Sequence, residues 1–252
     1  MVELPLRGEG WVAINSPADR IPSHGTDMLG QRFAFDFIRA DPRREALRFH
    51  RASTLRTLVL GVPTRECLAW GSAIHAPLGG VVVRAVDRFP ERRRVHPVRE
   101  LLLVLKNALT FTPDKLPAVL GNHVIIRGEN VFAAFAHISP GTLAVTEGQA
   151  VEVGDVIGRV GHTGNSTSPH LHFQLMDSAD PMTAAGIACS FRAYDVWRDG
   201  AWMSVTSGIP GRNDRVRLLE SEAGGAGAAR PGLLDDGAGH PQDGMTTAGD
   251  TT

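Results

Sequence analysis

Between residues 70 and 200 the chain alternates short apolar runs with glycine, proline, asparagine or aspartate. The runs are rich in β-branched and aromatic residues, and such runs bounded by turn residues are typical of an antiparallel β domain. The predicted strands are Gly79–Val86, Asn122–Arg127, Val131–His137, Asp155–Val160, His170–Met176 and Ser190–Trp197. We therefore predict a mainly β fold, an antiparallel sheet or sandwich core with glycine-rich hairpins.

One segment departs from this pattern. Pro97–Leu109 begins with proline, carries a glutamate near its start and places apolar residues at helical spacing, which predicts a helix. A run of basic residues, Arg92–Arg94, precedes it. We interpret residues 87–120 as an insertion between two strands. Asp41–Arg51 is a weaker candidate for a helix or a loop.

Glycines divide the segment after Thr142 into short valine-rich pieces, at Gly148, Gly154, Gly158 and Gly161. Glycine tolerates the positive φ that tight turns between strands require. Lipoyl and biotinyl carrier domains show the same pattern, so alone it predicts only a small β fold. A carrier or a sugar-phosphotransfer-like domain is a weak alternative, because a carrier needs a lysine at a hairpin tip and these turns have none.

Composition fits a folded domain with a tail. The 252 residues are 42% hydrophobic and 21% charged, near globular averages. Residues 220–252 are glycine-rich and lack aromatic residues, which predicts a disordered tail after a single domain at 1–219. The tail holds six acidic residues and one basic residue, so the whole-chain charge of −1 hides a domain of +4. This weak charge argues against a nucleic-acid partner.

Membrane and disulfide classes also find little support. The longest aliphatic run, Leu101–Leu105, is far short of the roughly 20 residues that span a bilayer, so no membrane span is expected. The first residues lack the features of a signal peptide. Cys67 and Cys189 are too few for a disulfide scaffold; two free buried thiols are favoured over one disulfide.

Candidate chemistry centres on the sequence Ser-Pro-His-Leu-His-Phe. Two residues apart on a strand, His170 and His172 point to one face, where imidazoles can bind a metal. The alternative is a half-exposed strand with polar residues facing water. His137 ends another apolar strand, and Asp36 interrupts an apolar one, where a buried carboxylate needs a partner or a cation. With His24 upstream, these residues could form a three-ligand zinc site with an open water position.

The chain resembles the lysostaphin-type (LytM-type) zinc endopeptidases, which cleave peptide cross-links in peptidoglycan. The resemblance covers about residues 70–177, with a weaker match over 23–38. Its most specific part is VEVGDVIGRVGHTGNSTSPHLHFQ. The matching stretches are Ala73–Val83, Gly121–Arg127, Ala134–Pro140 and Val151–Gln174.

The resemblance implies roles for individual residues. His172 would bind zinc, while His170 and His137 would polarise the water and stabilise the oxyanion. Asp36 fits the family's aspartate ligand, but the residue four positions earlier is Arg32, where the family has histidine. His24 could replace that ligand, or His24 and Asp27 could form the pair. Asp27 faces away from His24 if both lie on a strand. We prefer His24, Asp36 and His172.

The resemblance therefore implies a zinc metalloendopeptidase acting on peptidoglycan peptides. The alternative is a degenerate, non-catalytic domain of the same fold that binds cell wall or regulates another hydrolase, and Arg32 favours it. We expect a monomer. The resemblance implies a cell-envelope or extracellular location, although the sequence shows no export signal.

Overall fold

A computed structural model, which describes residues 1–41 and 47–218, organises the chain around a sheet of eleven strands. In chain order the strands are β1 Gly8–Asn15, β2 Phe35–Arg39, β3 Val62–Pro63, β4 Ala73–His75, β5 Gly80–Val86, β6 Arg94–Val95, β7 His123–Arg127, β8 Phe132–Ala136, β9 Ala150–Val151, β10 Val156–Arg159, β11 Leu171–Met176, β12 Gly186–Ile187, β13 Phe191–Arg198, β14 Ala201–Gly208 and β15 Arg215–Leu218. The large sheet runs β14-β13-β15-β1-β2-β11-β8-β7-β5-β9, with β12 beside β11. β10 pairs with β4, and β3 with β6.

The fold class is mainly β and antiparallel, as the sequence predicts. Each predicted strand appears with its bounds shifted by a residue or two. Among the strands of four residues or more, β1, β14 and β15 were not predicted. β14 forms the edge of the sheet and leaves most of its residues exposed or half-buried, so its sequence needs no apolar face.

The described residues contain three α-helices, α1 Thr54–Leu60, α2 Pro97–Leu109 and α3 Leu116–Leu120. Short 3-10 turns lie at Met28–Phe33, Thr64–Glu66 and Pro113–Lys115. α2 has the predicted bounds, and it lies with β6 and α3 between β5 and β7. The expectation of one helix was too low. α1 was missed because its β-branched residues favour strands; Ser53 caps it by accepting a hydrogen bond from the Arg56 amide.

The core fixes the strands that carry the candidate residues. Phe35 and Phe37 of β2 and Leu171 and Phe173 of β11 are fully buried in the main apolar cluster. The rings of Phe35 and Phe37 stack with centroids 5.5 Å apart. Because neighbouring residues of a strand point to opposite faces, this packing turns the residues between them to the other face.

Other expectations have mixed outcomes. Cys67 and Cys189 are free and buried, and burial raises the pKa of each thiol to about 12. The tail predicted at 220–252 and part of the candidate segment Asp41–Arg51 lie outside the described residues. Among the residues described, none of the helices combines the length and the apolar character needed to cross a bilayer.

Candidate metal centre

Asp36 and His172 meet across two neighbouring strands. β2 and β11 pair antiparallel with Asp36 directly opposite His172, so both side chains leave the same face of the sheet. His172 Nδ1 lies 2.9 Å from Asp36 Oδ1, and both residues are buried. The register of the sheet alone therefore places an imidazole against a carboxylate.

His24 reaches the same carboxylate from the loop after β1. Its Nε2 lies 2.9 Å from Asp36 Oδ2. The candidate ligand atoms of His24, Asp36 and His172 all lie within 4.8 Å of one another. The structure thus brings together the three residues that the sequence favours. His24 lies on the loop after β1, with its ring against the carboxylate of Asp36.

Arg32 and Asp27 lie apart from this cluster. Arg32 Nη1 donates to Asp27 Oδ1 at 2.6 Å, and both side chains are largely exposed. Arg32 falls in the 3-10 turn Met28–Phe33, which directs its side chain to solvent. Within the part of the chain that the structure describes, Asp27 does not join His24 in a cluster of possible metal ligands, so the alternative pair His24–Asp27 gains no support.

The hydrogen bonds behind the two histidines fix which nitrogen carries the proton. Gln174 Nε2 donates to the Leu29 carbonyl at 2.8 Å, so its Oε1 accepts from His172 Nε2–H at 2.8 Å. In the same way, the Ser23 hydroxyl donates to the Gln31 carbonyl, and its Oγ accepts from His24 Nδ1–H at 3.1 Å. If both imidazoles are neutral, the remaining nitrogens, His24 Nε2 and His172 Nδ1, carry lone pairs that face Asp36.

This arrangement leaves the centre short of positive charge. A carboxylate accepts hydrogen bonds and donates none, so two imidazole lone pairs about 2.9 Å from its oxygens repel it. Asn15 Nδ2 donates to Asp36 Oδ2 at 2.7 Å, which satisfies one lone pair only. A cation between the three side chains removes the conflict, and so does protonation of the imidazoles.

His137 and His170 lie beside this cluster. His137 follows β8 with a φ of 66°, and its Nδ1 donates to the Thr163 carbonyl at 3.0 Å. His170 Nδ1 donates to the Ser168 carbonyl at 2.7 Å. Their ring centroids are 4.7 Å apart, and His170 Nε2 lies 3.4 Å from Asp36 Oδ1. Each Nδ1 is held by backbone, so each Nε2 is the atom left for chemistry.

Electrostatics separate the pKa values of these groups. Burial tends to raise the pKa of Asp36, but attraction to His170 and His24 in their protonated forms holds it well below its usual value. Burial lowers the pKa of His137 well below its usual value, and the neighbouring His170 and His172 lower it further. For His170, burial acts downward, yet the Asp36 carboxylate outweighs it and raises the pKa. A cation on Asp36 would oppose that last effect.

A second buried cluster, which the sequence analysis missed, lies behind His170. Ser166 Oγ donates to the Ser168 carbonyl and lies 3.1 Å from His170 Nδ1 and 3.0 Å from His162 Nδ1. His162 Nε2 is 3.7 Å from Glu100 Oε1. Glu100, on α2, is only 1% exposed, so the inserted helix reaches the loop that leads into β11.

Arg92 completes this second cluster. Its Nε lies 2.9 Å from Glu100 Oε2, and its Nη1 and Nη2 donate to the carbonyls of Gly164 and Ser166 at 2.7 and 2.6 Å. The sequence signal for Glu100 was an acidic residue in the first turn of a helix, which ordinarily faces solvent. Only the tertiary contact reveals that it is buried.

Comparison with known proteins supports the resemblance. Residues 109–184 match peptidase family M23. That match includes His137, His170 and His172, whereas His24 and Asp36 precede it. The resemblance inferred from the sequence is confirmed.

The chain also resembles two curated enzymes over a limited stretch. The DD-carboxypeptidase/endopeptidase Mpg of Neisseria meningitidis serogroup B is 44% identical over 69 residues, which is 27% of this chain and 15% of that protein. The peptidoglycan DD-endopeptidase ShyA of Vibrio cholerae is 38% identical over 65 residues, 25% of this chain and 15% of that protein. The chain thus spans a small part of the length of these relatives.

A solved structure, the catalytic domain of the antimicrobial peptidase lysostaphin from Staphylococcus simulans, aligns over 71% of this chain and 88% of that one. The identity is 18% and the TM-score 0.35.

Proposed function

We propose that this M23 peptidase domain is a zinc-dependent endopeptidase whose metal is held by His24, Asp36 and His172. The observation that carries the proposal is the pair of imidazole lone pairs directed at one buried carboxylate. The family match supports a peptidase, and the geometry supplies the reason for a divalent cation.

The donor set suits zinc. Two imidazole nitrogens and one carboxylate oxygen form a common three-ligand set of catalytic zinc sites, which leave a position for water. Gln174 and Ser23 accept the outward N–H groups of His172 and His24, and Asn15 donates to Asp36. Such partners hold ligands in the orientation that a metal requires.

When bound there, zinc lowers the pKa of a coordinated water toward neutrality and polarises a carbonyl oxygen. The chain's own contribution comes from His137 and His170, which lie on the side of His172 away from Gln174. Since backbone carbonyls hold their Nδ1 atoms, each Nε2 can hydrogen-bond a substrate oxygen or carry a proton. We assign them oxyanion stabilisation and transfer of a proton to the leaving amine.

The substrate we propose is the peptide part of peptidoglycan. The two curated relatives are named as an endopeptidase and a peptidoglycan endopeptidase, which supports this class. We extend the proposal to a location in the cell envelope or outside the cell, and to a monomer of one domain spanning 1–219 with an insertion at 87–120.

A matched pair of variants tests the metal site. Asp36→Asn should abolish stoichiometric zinc, measured by elemental analysis after dialysis, and hydrolysis of isolated peptidoglycan and of pentaglycine. Asp27→Asn, an exposed aspartate nine residues away, should retain both. Full zinc content in Asp36→Asn, or loss in Asp27→Asn, would contradict the ligand assignment.

One observation supports a second candidate function. The family's histidine position holds Arg32, which points to solvent, and this favours a non-catalytic domain that binds cell wall. Purified protein with one zinc, no hydrolysis of either substrate and co-sedimentation with peptidoglycan would select that alternative. His170→Ala distinguishes them further, because it should abolish hydrolysis and leave zinc content unchanged.

A further inference from the structure

The helices α1 and α2 expose an unusual amount of aliphatic surface. Nine large aliphatic residues on these two helices are about half exposed or more, and we call them the helical face. They are Leu55, Leu58, Val59, Leu60, Val98, Leu101, Leu102, Leu105 and Leu109. The most exposed are Leu109 at 86% and Leu55 at 74%. Contiguous apolar patches of this kind on a protein surface mark interaction sites.

α2 exposes more aliphatic surface than is usual for a helix on a water-soluble domain. Its exposed aliphatic residues recur at the three- and four-residue spacing that lines one side of a helix. The side that faces the domain carries the polar residues Glu100 and Asn107 together with the half-buried Leu103 and Val104. Glu100 is buried against Arg92, and Asn107 Nδ2 donates to Asn165 Oδ1 at 2.9 Å. Polar contacts of Glu100 and Asn107 therefore help to seat the helix, and five of its aliphatic residues stay exposed to solvent.

The two helices form one surface. β3 follows α1 and pairs with β6, which precedes α2, so the end of α1 lies beside the start of α2. Arg94 reinforces this junction by donating to the carbonyls of Leu60 and Gly61 at 2.9 and 3.0 Å. α1 also contacts α2 directly.

The exposed charged residues within the two helices have one sign. The exposed charged residues within α1 and α2 are Arg56, Arg99 and Lys106, and the acidic residue of the two helices, Glu100, is buried. Arg56 also pairs with Glu66, with both contacts at 3.1 Å. The face therefore combines aliphatic side chains with exposed cations.

A groove beside the helices adds more positive charge. It is lined by Arg65, Arg93, Arg94, Glu91 and Trp70, together with Pro63 and Thr64, and it encloses about 450 Å³. Trp70 is partly exposed there, and its Nε1–H donates to Glu91 Oε2 at 2.9 Å. Tryptophan and arginine are side chains that lie favourably at the boundary between lipid and water.

We propose that the helical face binds the surface of an anionic lipid membrane, with α1 and α2 lying in the interface. Short helices with leucine on one side and arginine or lysine at the flanks bind in this way, through apolar burial plus attraction to anionic headgroups. A protein partner fits less well, because the centres of protein interfaces favour aromatic residues and arginine. The helical face itself is entirely leucine and valine, and Trp70 and the arginines of the groove lie at its flank. The proposal requires neither a metal nor catalysis.

Vesicle co-sedimentation tests the proposal on the full chain. The protein should sediment with vesicles containing phosphatidylglycerol and much less with pure phosphatidylcholine, and salt should weaken the binding. The triple variant Leu101→Ser/Leu102→Ser/Leu105→Ser should lower the partition coefficient by roughly tenfold or more, since each leucine loses apolar burial.

The matched control is Ile21→Ser/Val153→Ser/Ile209→Ser, which removes three exposed aliphatic residues elsewhere. It should bind vesicles as the unmodified chain does. If the first triple variant does not fold, the single variants Leu109→Ser and Leu55→Ser replace it, each with an expected loss of about threefold to tenfold.

Three results overturn the proposal. The unmodified chain could fail to sediment with anionic vesicles, or the helical-face variants could bind as well as the control. Alternatively, light scattering could show a dimer that the helical-face variants convert to monomers without any vesicle binding, in which case a second copy covers this face.

Discussion

Two buried carboxylates beside histidines, Asp36 and Glu100, solve the same electrostatic problem differently. Glu100 has a resident cation, because Arg92 Nε lies 2.9 Å from its Oε2. Asp36 is surrounded by imidazole nitrogens and one amide, Asn15, none of which carries a permanent charge. A buried carboxylate is stable only with a compensating charge or hydrogen bonds.

The difference separates a structural ion pair from a candidate metal centre. The Arg92–Glu100 pair ties the inserted helix to the loop at 164–166, and the counter-charge of Glu100 comes from the chain itself. Asp36 faces the lone pairs of neutral imidazoles, so its negative charge is compensated by a bound cation or by protons on those imidazoles. A buried carboxylate thus has a structural role at one place and a proposed chemical role at the other.

The largest expected effect on the free energy of unfolding concerns the ion pair Arg92–Glu100. Glu100→Gln leaves Arg92 partly buried without its counter-charge and should lower the free energy of unfolding by about 3–5 kcal/mol. Urea denaturation of the metal-free protein measures this. The double variant Arg92→Met/Glu100→Leu should recover much of the loss, since an apolar pair can replace a buried ion pair. A loss below about 1 kcal/mol in Glu100→Gln would contradict a structural role for the ion pair of Glu100 with Arg92.

The second expected effect is stabilisation by zinc at the proposed site of His24, Asp36 and His172. Saturating zinc should raise the free energy of unfolding by about 2.7 kcal/mol when its concentration is 100 times the Kd, because metal binds the folded state. EDTA should remove that gain. Asp36→Asn should show no gain, whereas Arg92→Met/Glu100→Leu should keep it. A zinc-dependent gain in Asp36→Asn would place the metal elsewhere.

Sequence and structure agree where strand periodicity decides the outcome. His170 and His172 could be predicted to share a face, and Asp36 stood out within an apolar strand, because alternation is local. His24 needed the resemblance, since loop geometry is not encoded by periodicity.

Glu100 could not be predicted as a buried residue. The sequence shows an apolar side of α2 at helical spacing, and such a side ordinarily packs inward. In the structure five of its aliphatic residues face out, because the side that carries Glu100 and Asn107 packs inward, where Asn107 donates to Asn165 of a loop distant in sequence. Periodicity finds a face of a helix, but only tertiary contacts decide which face is buried.

A third, smaller effect concerns the orientation of His172. Gln174→Met removes the acceptor for His172 Nε2–H and should weaken zinc affinity by about 10- to 100-fold. Gln149→Met, whose side chain accepts from the Thr146 amide away from the site, is the matched control. Competition with a chromophoric chelator measures both affinities. Equal affinities would mean that Gln174 does not select the tautomer of His172.

The smallest effect distinguishes a buried histidine beside a carboxylate from one without. His123 is buried on β7; burial lowers its pKa, Arg84 and Arg88 add to this, and the Gly121 carbonyl and Glu147 offset it only in part. Its folded pKa lies below the unfolded value of about 6.5, so the unfolded chain binds more protons. The stability it supports is therefore present above about pH 6.5 and is lost as the pH falls toward the folded pKa. At most, one such histidine changes the free energy of unfolding by about 1.4 kcal/mol per pH unit.

His123→Gln should flatten the pH dependence of urea midpoints between about pH 6.5 and 5. His96→Gln, a half-buried histidine at the start of α2, serves as the control. An unchanged slope in His123→Gln would mean that His123 takes up a proton as readily in the folded chain as in the unfolded one.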